Sequence, residues 1–249
     1  LLQRLQQKTL RCGRLPHTAD SKLFEEYVAC EFVAKYYLLA IPAIIGIVGG
    51  IFAMTYLGGQ NNSKGVETFT MQQLIENGSP YEGNPSAPIT IVEWGDYQCT
   101  FCHLFHDSSL GTIKDEYIES GKANFVFRDF PLNGPNSVLA AEASHCAKDQ
   151  GKFWEYHDEV YRNWDGENTG WVSKDSLNKF AQDVGLNVDQ FKSCLDSSKY
   201  KQQVSDAYDF GQKVGIDATP SFLIIKDGKI VKITGNQPID VFRKTLDGM

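Results

Sequence analysis

The sequence has fewer basic than acidic residues, and this shortage argues against nucleic acid as a partner. The 249 residues include 24 lysines and arginines against 31 aspartates and glutamates, so the formal net charge at pH 7 is −7. Proteins that bind nucleic acid usually present a basic face to the phosphates. We therefore expect no nucleic-acid partner. The sequence also lacks internal repeats and low-complexity tracts, and its length suffices for one sizeable domain with additional segments.

Charge of either sign is missing between Lys35 and Lys64. An uncharged, largely apolar segment of this length can cross the roughly 30 Å core of a bilayer as a helix. The sequence therefore predicts a transmembrane helix at residues 36–58, preceded by a juxtamembrane region at residues 1–35. A buried core helix is the alternative interpretation. A cleaved signal peptide fits less well, because the apolar segment is too long and no small-residue cleavage site stands out.

The distribution of positive charge predicts how such a helix is oriented. Residues 1–35 contain six lysines and arginines, whereas only Lys64 lies near the other end of the apolar segment. Flanks that are rich in lysine and arginine usually stay in the cytoplasm. We therefore expect a membrane-anchored, single-pass protein whose larger, C-terminal part is extracytoplasmic.

Six cysteines are present, and two of them form the most informative motif. Cys99 and Cys102 directly follow the apolar run at residues 89–94, where a predicted strand gives way to a helix. At a helix N-terminus, unpaired backbone N–H groups and the helix dipole favour the thiolate of the first cysteine. The second cysteine lies one turn inward and can resolve a mixed disulfide. This spacing predicts thiol–disulfide exchange.

Two other uses of this motif need elements that are scarce in the sequence. A structural zinc site would need two more ligands at similar spacing, and no second Cys-x-x-Cys occurs. A c-type haem protein is the stronger alternative, because Cys99 to His103 match the CxxCH attachment motif. However, the motif follows a strand, and none of the three methionines is an evident second axial ligand. We therefore predict no metal and no cofactor, with Cys12, Cys30 and His17 as at most a weak metal-binding set.

The order of apolar and turn-forming segments predicts an α/β domain. Strands are expected at residues 89–94, 123–128, 221–225 and 230–234, and helices at about 99–120, in four segments between 137 and 214, and from 238 onward. A strand–helix–strand unit of this spacing implies a parallel pair with a right-handed crossover. Residues 59–88 are expected to form a linker and lead-in segment with one short helix from Met71 to Glu76.

Three segments carry a resemblance to a known family: residues 83–91, residues 95–102 and the pair Thr219-Pro220 before a later strand. Together they resemble the DsbA-like oxidoreductases of the thioredoxin superfamily, over roughly residues 66–249. The resemblance implies a thioredoxin-like fold at residues 89–249, with an inserted helical domain at about 137–214.

The resemblance also implies roles for individual residues around the dithiol. Cys99 is expected to attack and Cys102 to resolve. Thr219 and Pro220 are expected to share a cis peptide bond beside the dithiol and to bind an extended substrate segment. Glu93 is expected beneath the dithiol, where a buried carboxyl group with a raised pKa can carry the proton of Cys102. Exposure at a sheet edge is the alternative for Glu93.

The residues around the cysteines depart from the most oxidising pattern of the family, which has Pro-His between the two cysteines. Here Thr100 and Phe101 stand at these positions, and the side chain of Phe101 cannot donate a hydrogen bond to Cys99. A milder oxidant is therefore expected. His103 follows the motif and, with His106 one turn further on, is expected on a solvated face of the helix; a charge contribution near Cys99 is the alternative.

Cys146 and Cys194 lie in the expected insert. Oxidising surroundings, and similar arrangements in DsbA-like relatives, imply a structural disulfide between them, and two free buried thiols are the alternative. The resemblance favours a monomeric oxidase that introduces disulfides into exported proteins with cysteine thiols. It also implies a quinone-linked membrane redox partner. A disulfide isomerase or a reductase of the same fold would use the same residues and is the alternative function.

Overall fold

The structure, a computed structural model, describes residues 69–249. The predicted juxtamembrane region, the predicted transmembrane helix at residues 36–58, and Cys12 and Cys30 lie outside this part of the chain. Within residues 69–249, each helix is too short or too polar to span a bilayer.

Eight helical segments and four strands build residues 69–249. The strands are β1 Ile89–Gly95, β2 Ala123–Asp129, β3 Ser221–Lys226 and β4 Lys229–Thr234. The helices are α1 Met71–Ile75, α2 at residues 100–118, α3 Pro135–Lys148, α4 Phe153–Arg162, α5 Lys174–Asp183, α6 Val188–Asp196, α7 Lys201–Lys213 and α8 Ile239–Asp247. The predicted order of strand, helix, strand, helical insert, hairpin and helix is confirmed.

The four strands form one sheet in the order β2–β1–β3–β4. β1 and β2 are parallel, whereas β3 is antiparallel to both β1 and β4. α2 makes the crossover between the two parallel strands. Every residue of β1 and β2 is buried. Because both faces of these strands are covered, apolar residues occupy consecutive positions, as at residues 91–92 and 125–127, instead of alternating with polar ones.

Alternate side chains of β1 point to opposite faces of the sheet and join different apolar clusters. Ile91 packs into the larger cluster, which also contains Cys99 and Cys102. Trp94 packs into a smaller cluster on the other face. The same alternation places Glu93 on the face of Ile91, which is the face that carries the dithiol.

α2 is one continuous helical segment but not a regular α-helix. Regular turns at Thr100–Phe105 and Gly111–Ile113 alternate with wider π-helical turns at His106–Leu110 and Lys114–Ile118. A π turn takes more residues than an α turn and rotates the side chains that follow it. The predicted helix at about 99–120 is confirmed, but a period of 3.6 residues does not give the direction of its later side chains.

The insert contains five helices, α3 to α7, whereas the sequence predicted four. Gly151 (φ 73°) and Gly185 (φ 71°) mark the breaks after α3 and α5, as expected. The unexpected break separates α6 from α7, where Ser198 adopts a left-handed conformation with φ 50°. Because no glycine marks this turn, the sequence interpretation joined two helices into one.

Cys146 on α3 and Cys194 on α6 form a disulfide with a Cα–Cα distance of 5.8 Å. The two cysteines are 48 residues apart in the sequence, so the bridge ties the first helix of the insert to its fourth. This is the pairing that the family resemblance implied.

The lead-in segment before β1 is part of the folded domain. The backbone of Glu82 pairs with that of Phe125 in an antiparallel bridge at the outer edge of β2. The backbone N–H of Ser79 donates to the carbonyl oxygen of Phe127 at 2.8 Å. The globular fold therefore includes residues that the sequence interpretation assigned to the lead-in segment at 59–88.

Candidate active site

Cys99 occupies the N-cap of α2, directly after the turn that follows β1. Its backbone is extended, and its carbonyl oxygen accepts the backbone N–H of His103 at 3.0 Å. Cys99 is 5% exposed, and its Sγ lies 3.5 Å from the carbonyl oxygen of Thr219. The thiol therefore lies at the open end of a helix, where unpaired N–H groups stabilise negative charge.

The surroundings of Cys99 favour its thiolate. Hydrogen bonding from the Cys102 thiol is the largest influence, and it outweighs burial, which acts in the opposite direction. The Thr219 side chain and the backbone N–H groups of Phe101 and Cys102 add further stabilisation. Together these groups lower the pKa of Cys99 from 9.0 to about 6. At pH 7 roughly 90% of the reduced protein therefore carries a Cys99 thiolate.

Cys102 has the opposite character. It is 1% exposed, and burial together with the neighbouring Cys99 raises the pKa of Cys102 well above its ordinary value. Its Sγ accepts the backbone N–H of Asp96 at 3.5 Å. Both Cys99 and Cys102 are free thiols in this structure. Near pH 7 the Cys99 thiol is therefore ionised and the Cys102 thiol is neutral. Thiol–disulfide exchange needs such a pair, because the thiolate is the reactive form.

Glu93 is buried on the face of β1 that carries the dithiol, with 3% of its surface exposed. Burial raises the pKa of Glu93 well above its ordinary value, and the negative charge of Cys99 raises it further. The charge of Glu93 in turn contributes to the raised pKa of Cys102. A buried carboxyl group of this kind can exchange a proton with Cys102 through a water molecule. Its burial excludes the alternative of a solvent-exposed edge position.

The peptide bond between Thr219 and Pro220 is cis. The segment lies directly before β3, and the carbonyl oxygen of Pro220 accepts the backbone N–H of Gly235 at 2.7 Å. Thr219 and Cys99 are in contact although they lie 120 residues apart in the sequence. The structure thus brings together Cys99, Cys102, Thr219 and Pro220, as the sequence analysis expected.

The two residues between the cysteines make different contacts. Phe101 is 58% exposed, so its ring faces solvent beside the thiol. The backbone N–H of Thr100 donates to Oε1 of Glu167 at 2.8 Å. Glu167 is an exposed residue in the loop between α4 and α5. Its carboxylate accepts a hydrogen bond from one of the backbone N–H groups at the N-terminus of α2 that have no partner within the helix. Sequence reasoning missed Glu167 because it lies 67 residues from Thr100 and belongs to no motif.

Asp96 holds the turn that leads from β1 to Cys99. Its Oδ1 accepts the backbone N–H of Gln98 at 2.8 Å, and its Oδ2 accepts those of Leu132 and Asn133 at 2.7 and 2.8 Å. Hydrogen bonds to a carboxylate are stronger than those between neutral groups. Asp96 is therefore a positioning residue that fastens the redox turn to the loop after β2.

The expectation that His103 and His106 lie on a solvated face is wrong. The ring of His103 stacks on that of Trp164, with centroids 4.5 Å apart. The ring of His106 stacks on that of Tyr161 at 4.8 Å, and its Nε2 lies 3.1 Å from Oδ1 of Asp158. α4 and the loop that follows it cover this side of α2. The sequence pattern of α2 alone could not show this, because the covering residues belong to the insert.

The positions of Cys102 and His103 also argue against the haem alternative. A c-type haem is attached through both cysteines of the motif, and the histidine that follows binds the iron. Cys102 is 1% exposed, and His103 is stacked against Trp164. A haem could not reach these two groups without opening this part of the domain.

Comparison with known proteins agrees with this geometry. Residues 76–248 match the family model described as Thioredoxin. The probable disulfide bond formation protein D of Bacillus cereus is 30% identical over 217 residues, which cover 82% of this chain and 94% of that protein. The disulfide bond formation protein D of Bacillus subtilis is 30% identical over 158 residues, which cover 62% of this chain and 70% of that protein.

Solved structures show the same likeness. The crystal structure of oxidised BdbD from Bacillus subtilis matches with a TM-score of 0.62 and 28% identity, over 68% of this chain and 91% of that one. The crystal structure of alpha-DsbA1 from Wolbachia pipientis matches with a TM-score of 0.62 and 29% identity, over 70% of this chain and 90% of that one. The family match includes both redox cysteines and covers well over half of the chain. The chain therefore belongs to the thioredoxin family and is a DsbA-like thiol–disulfide oxidoreductase.

Proposed function

We propose that this protein introduces disulfides into exported proteins, and that the disulfide it donates is formed by Cys99 and Cys102. The observation that carries the proposal is the contrast between the two thiols. The pKa of Cys99 is lowered to about 6, whereas that of Cys102 is raised. A stabilised Cys99 thiolate favours the reduced protein over the oxidised one, and an oxidoreductase of this kind gives up its disulfide readily.

The reaction begins when a substrate thiolate attacks Sγ of Cys99 in the oxidised protein. A bond forms between the substrate sulfur and Cys99, the Cys99–Cys102 bond breaks, and Cys102 leaves as a thiolate that takes up a proton. A second substrate thiolate then attacks the first substrate sulfur, and Cys99 leaves as a thiolate. The substrate gains one disulfide, and two electrons pass to the enzyme dithiol.

In this proposal Glu93 supplies the proton that Cys102 takes up, and the burial of Glu93 supports that role. A Cys102 thiolate is costly in its buried position, because its charge is removed from water. Protonated Glu93 can deliver a proton through a bridging water molecule, and the carboxylate can take it back when the enzyme is reoxidised. Burial raises the pKa of Glu93, so its proton is retained to a higher pH than in an ordinary carboxyl group.

Two features of the surface around Cys99 suit an extended, partly unfolded polypeptide. The carbonyl oxygen of Thr219 lies beside Cys99, where it can accept a backbone N–H from a substrate segment. Phe101, Leu104 and Leu132 are large apolar residues that are 58%, 41% and 43% exposed. Phe101 and Leu104 lie on α2, and the backbone of Leu132 is bonded to Asp96, so these exposed apolar side chains offer a surface for the apolar segments of an incompletely folded protein.

The proposed location is the outer side of a membrane. The predicted helix at residues 36–58 would anchor the monomeric enzyme, and the lysines and arginines of residues 1–35 favour an N-terminus inside the cell. The reduced enzyme must pass two electrons to an acceptor, which we assign to a quinone-linked membrane protein. Reduced Cys99 should react in intact cells with a thiol reagent that does not cross membranes. Labelling that requires lysis would contradict this topology.

The reduction potential of Cys99 and Cys102 in glutathione buffers tests the proposed direction of electron flow. A value of about −120 mV is that of a strong oxidant and would support disulfide donation. A value of about −270 mV is that of a thioredoxin-type reductant and would reverse the proposed flow. In the same preparations, Cys99→Ser should abolish turnover and Cys102→Ala should accumulate mixed disulfides with substrates.

A further inference from the structure

A second cluster of chemically active side chains lies where α2 packs against α4. His106 on α2 and His157 and Asp158 on α4 each contribute one potential ligand atom, and these atoms lie within 4.8 Å of one another. Nε2 of His106 and Oδ1 of Asp158 are 3.1 Å apart. The thiol chemistry described above uses none of these three residues.

His157 is the informative member of the cluster. It is 1% exposed, and its Nδ1 lies 3.0 Å from the hydroxyl oxygen of Tyr97. Its Nε2 is buried and has no hydrogen-bond partner among residues 69–249. A buried ring nitrogen without a partner costs free energy and calls for an explanation. An imidazole nitrogen that has no hydrogen-bond partner is available to bind a metal ion.

The charges around the cluster favour a cation. Oε1 of Glu82 lies 2.8 Å from Nζ of Lys114, and Oε2 of Glu82 is buried without a partner among the described residues. Nζ of Lys114 also lies 3.5 Å from Asp158. The carboxyl groups of Glu82 and Asp158 thus face one ammonium group, that of Lys114, beside the two histidines.

We propose that His106, His157 and Asp158 bind a divalent transition-metal ion, for which Zn²⁺ is the probe. Two imidazoles and one carboxylate are a donor set that zinc accepts in a site with three protein ligands. Zinc–ligand bonds of about 2.0–2.2 Å bring bound atoms within roughly 3–4 Å of one another, so the widest spacing must close by about 1 Å. His106 and Asp158 are partly exposed, which gives an ion a route to the buried nitrogen.

Such a site would join the helix that carries the redox cysteines to the helical insert. Lys114 would keep Glu82 as its partner while Asp158 turns to the metal. The bound ion would satisfy the buried Nε2 of His157, and the Tyr97 hydroxyl at Nδ1 would orient the ring, as groups beyond the ligands do in metal sites. The Zn²⁺ site is therefore expected to stabilise the packing of α2 against α4.

The test is a calorimetric titration of Zn²⁺ into the full oxidised chain with Cys12 and Cys30 replaced by serine. With Cys99–Cys102 and Cys146–Cys194 as disulfides, no thiolate remains to bind zinc. We expect one zinc per chain. Asp158→Asn and His106→Gln should each weaken the affinity at least tenfold. His103→Gln is the matched control, because His103 lies on the same helix but stacks on Trp164 and should not affect zinc binding.

Lys114→Met should act in the opposite direction and strengthen zinc binding, because it removes the ammonium group that competes for Asp158. His157 is not replaced, since its ring is buried among Tyr97, Phe127 and Phe153 and its loss would damage the core. The melting temperature of the oxidised chain should rise with Zn²⁺, and not in Asp158→Asn. The proposal is overturned if zinc does not saturate at one per chain, or if Asp158→Asn and His106→Gln both bind it unchanged.

Discussion

Replacing Cys102 with alanine should raise the pKa of Cys99, because the Cys102 thiol makes the largest contribution to lowering it. A hydrogen bond to a charged group contributes about 1.5–3 kcal/mol, and one pKa unit corresponds to about 1.4 kcal/mol. From about 6 in the unaltered protein, the pKa of Cys99 should therefore rise to roughly 7–8 in Cys102→Ala. The thiolate fraction at pH 7 then falls from roughly 90% to between about 10% and 50%.

The assay is the pH dependence of Cys99 alkylation by iodoacetamide in the reduced proteins. Alkylation follows the thiolate, so the midpoint of the rate profile gives the pKa of Cys99 directly. The unaltered protein should show a midpoint near 6. At pH 7, Cys102→Ala should react about two to ten times more slowly than the unaltered protein, as the thiolate fractions require.

Cys102→Ser is the matched control for this experiment. The serine hydroxyl can still donate a hydrogen bond to the Cys99 thiolate. The pKa of Cys99 should therefore stay closer to that of the unaltered protein than in Cys102→Ala. A pKa in Cys102→Ala that is equal to or below 6 would refute the reasoning. The end of α2 and Thr219 would then account for the whole stabilisation of the thiolate.

Three further substitutions test the surroundings of the site. Glu93→Gln should raise the melting temperature of the oxidised protein, and more at pH 8 than at pH 5. The reason is that burial holds the pKa of Glu93 above its unfolded value, so that ionisation opposes folding as the pH rises; a gain that shrinks with pH would contradict this. Cys146→Ser/Cys194→Ser should lower the free energy of unfolding by roughly 4 kcal/mol in urea titrations, because the bridge spans 48 residues; a loss below about 1 kcal/mol would not fit loop closure. Gly211→Ala in α7 would place a Cβ 2.6 Å from the ring of Phe130, so overpacking of about 1–3 kcal/mol should exceed the gain of about 1 kcal/mol in helix propensity. Gly111→Ala is its control, because a Cβ there meets no described atom within 4 Å and should stabilise the protein.

The dithiol could be predicted from the sequence because its determinants are local. The apolar run of β1, the turn that follows it, and the spacing of Cys99 and Cys102 all lie in one short segment. Glu93 lies in the same strand, but its position beneath the dithiol was implied by the family resemblance. Thr219 and Pro220 lie far from the dithiol in the sequence. They could be identified as its neighbours only from the family resemblance.

The contacts of the helical insert with α2 could not be predicted from the sequence. Glu167 reaches Thr100 from a loop without a recognisable pattern, and Asp158 and Trp164 cover histidines that the helical period alone leaves in solvent. The two π-helical turns in α2 change which side chains face the insert. Ser198 ends a helix without the glycine that marked the other breaks. Each miss concerns a long-range contact or a backbone conformation that residue type does not specify.

The contact between Thr219 and Cys99 spans 120 residues, and this distance sets an order of events during synthesis. The CxxC motif is complete well before the ribosome reaches β3. A nascent chain that ends before Thr219 lacks one of the groups that lower the pKa of Cys99. Cys99 therefore reaches its full reactivity late, after β3 has been synthesised and has paired with β1.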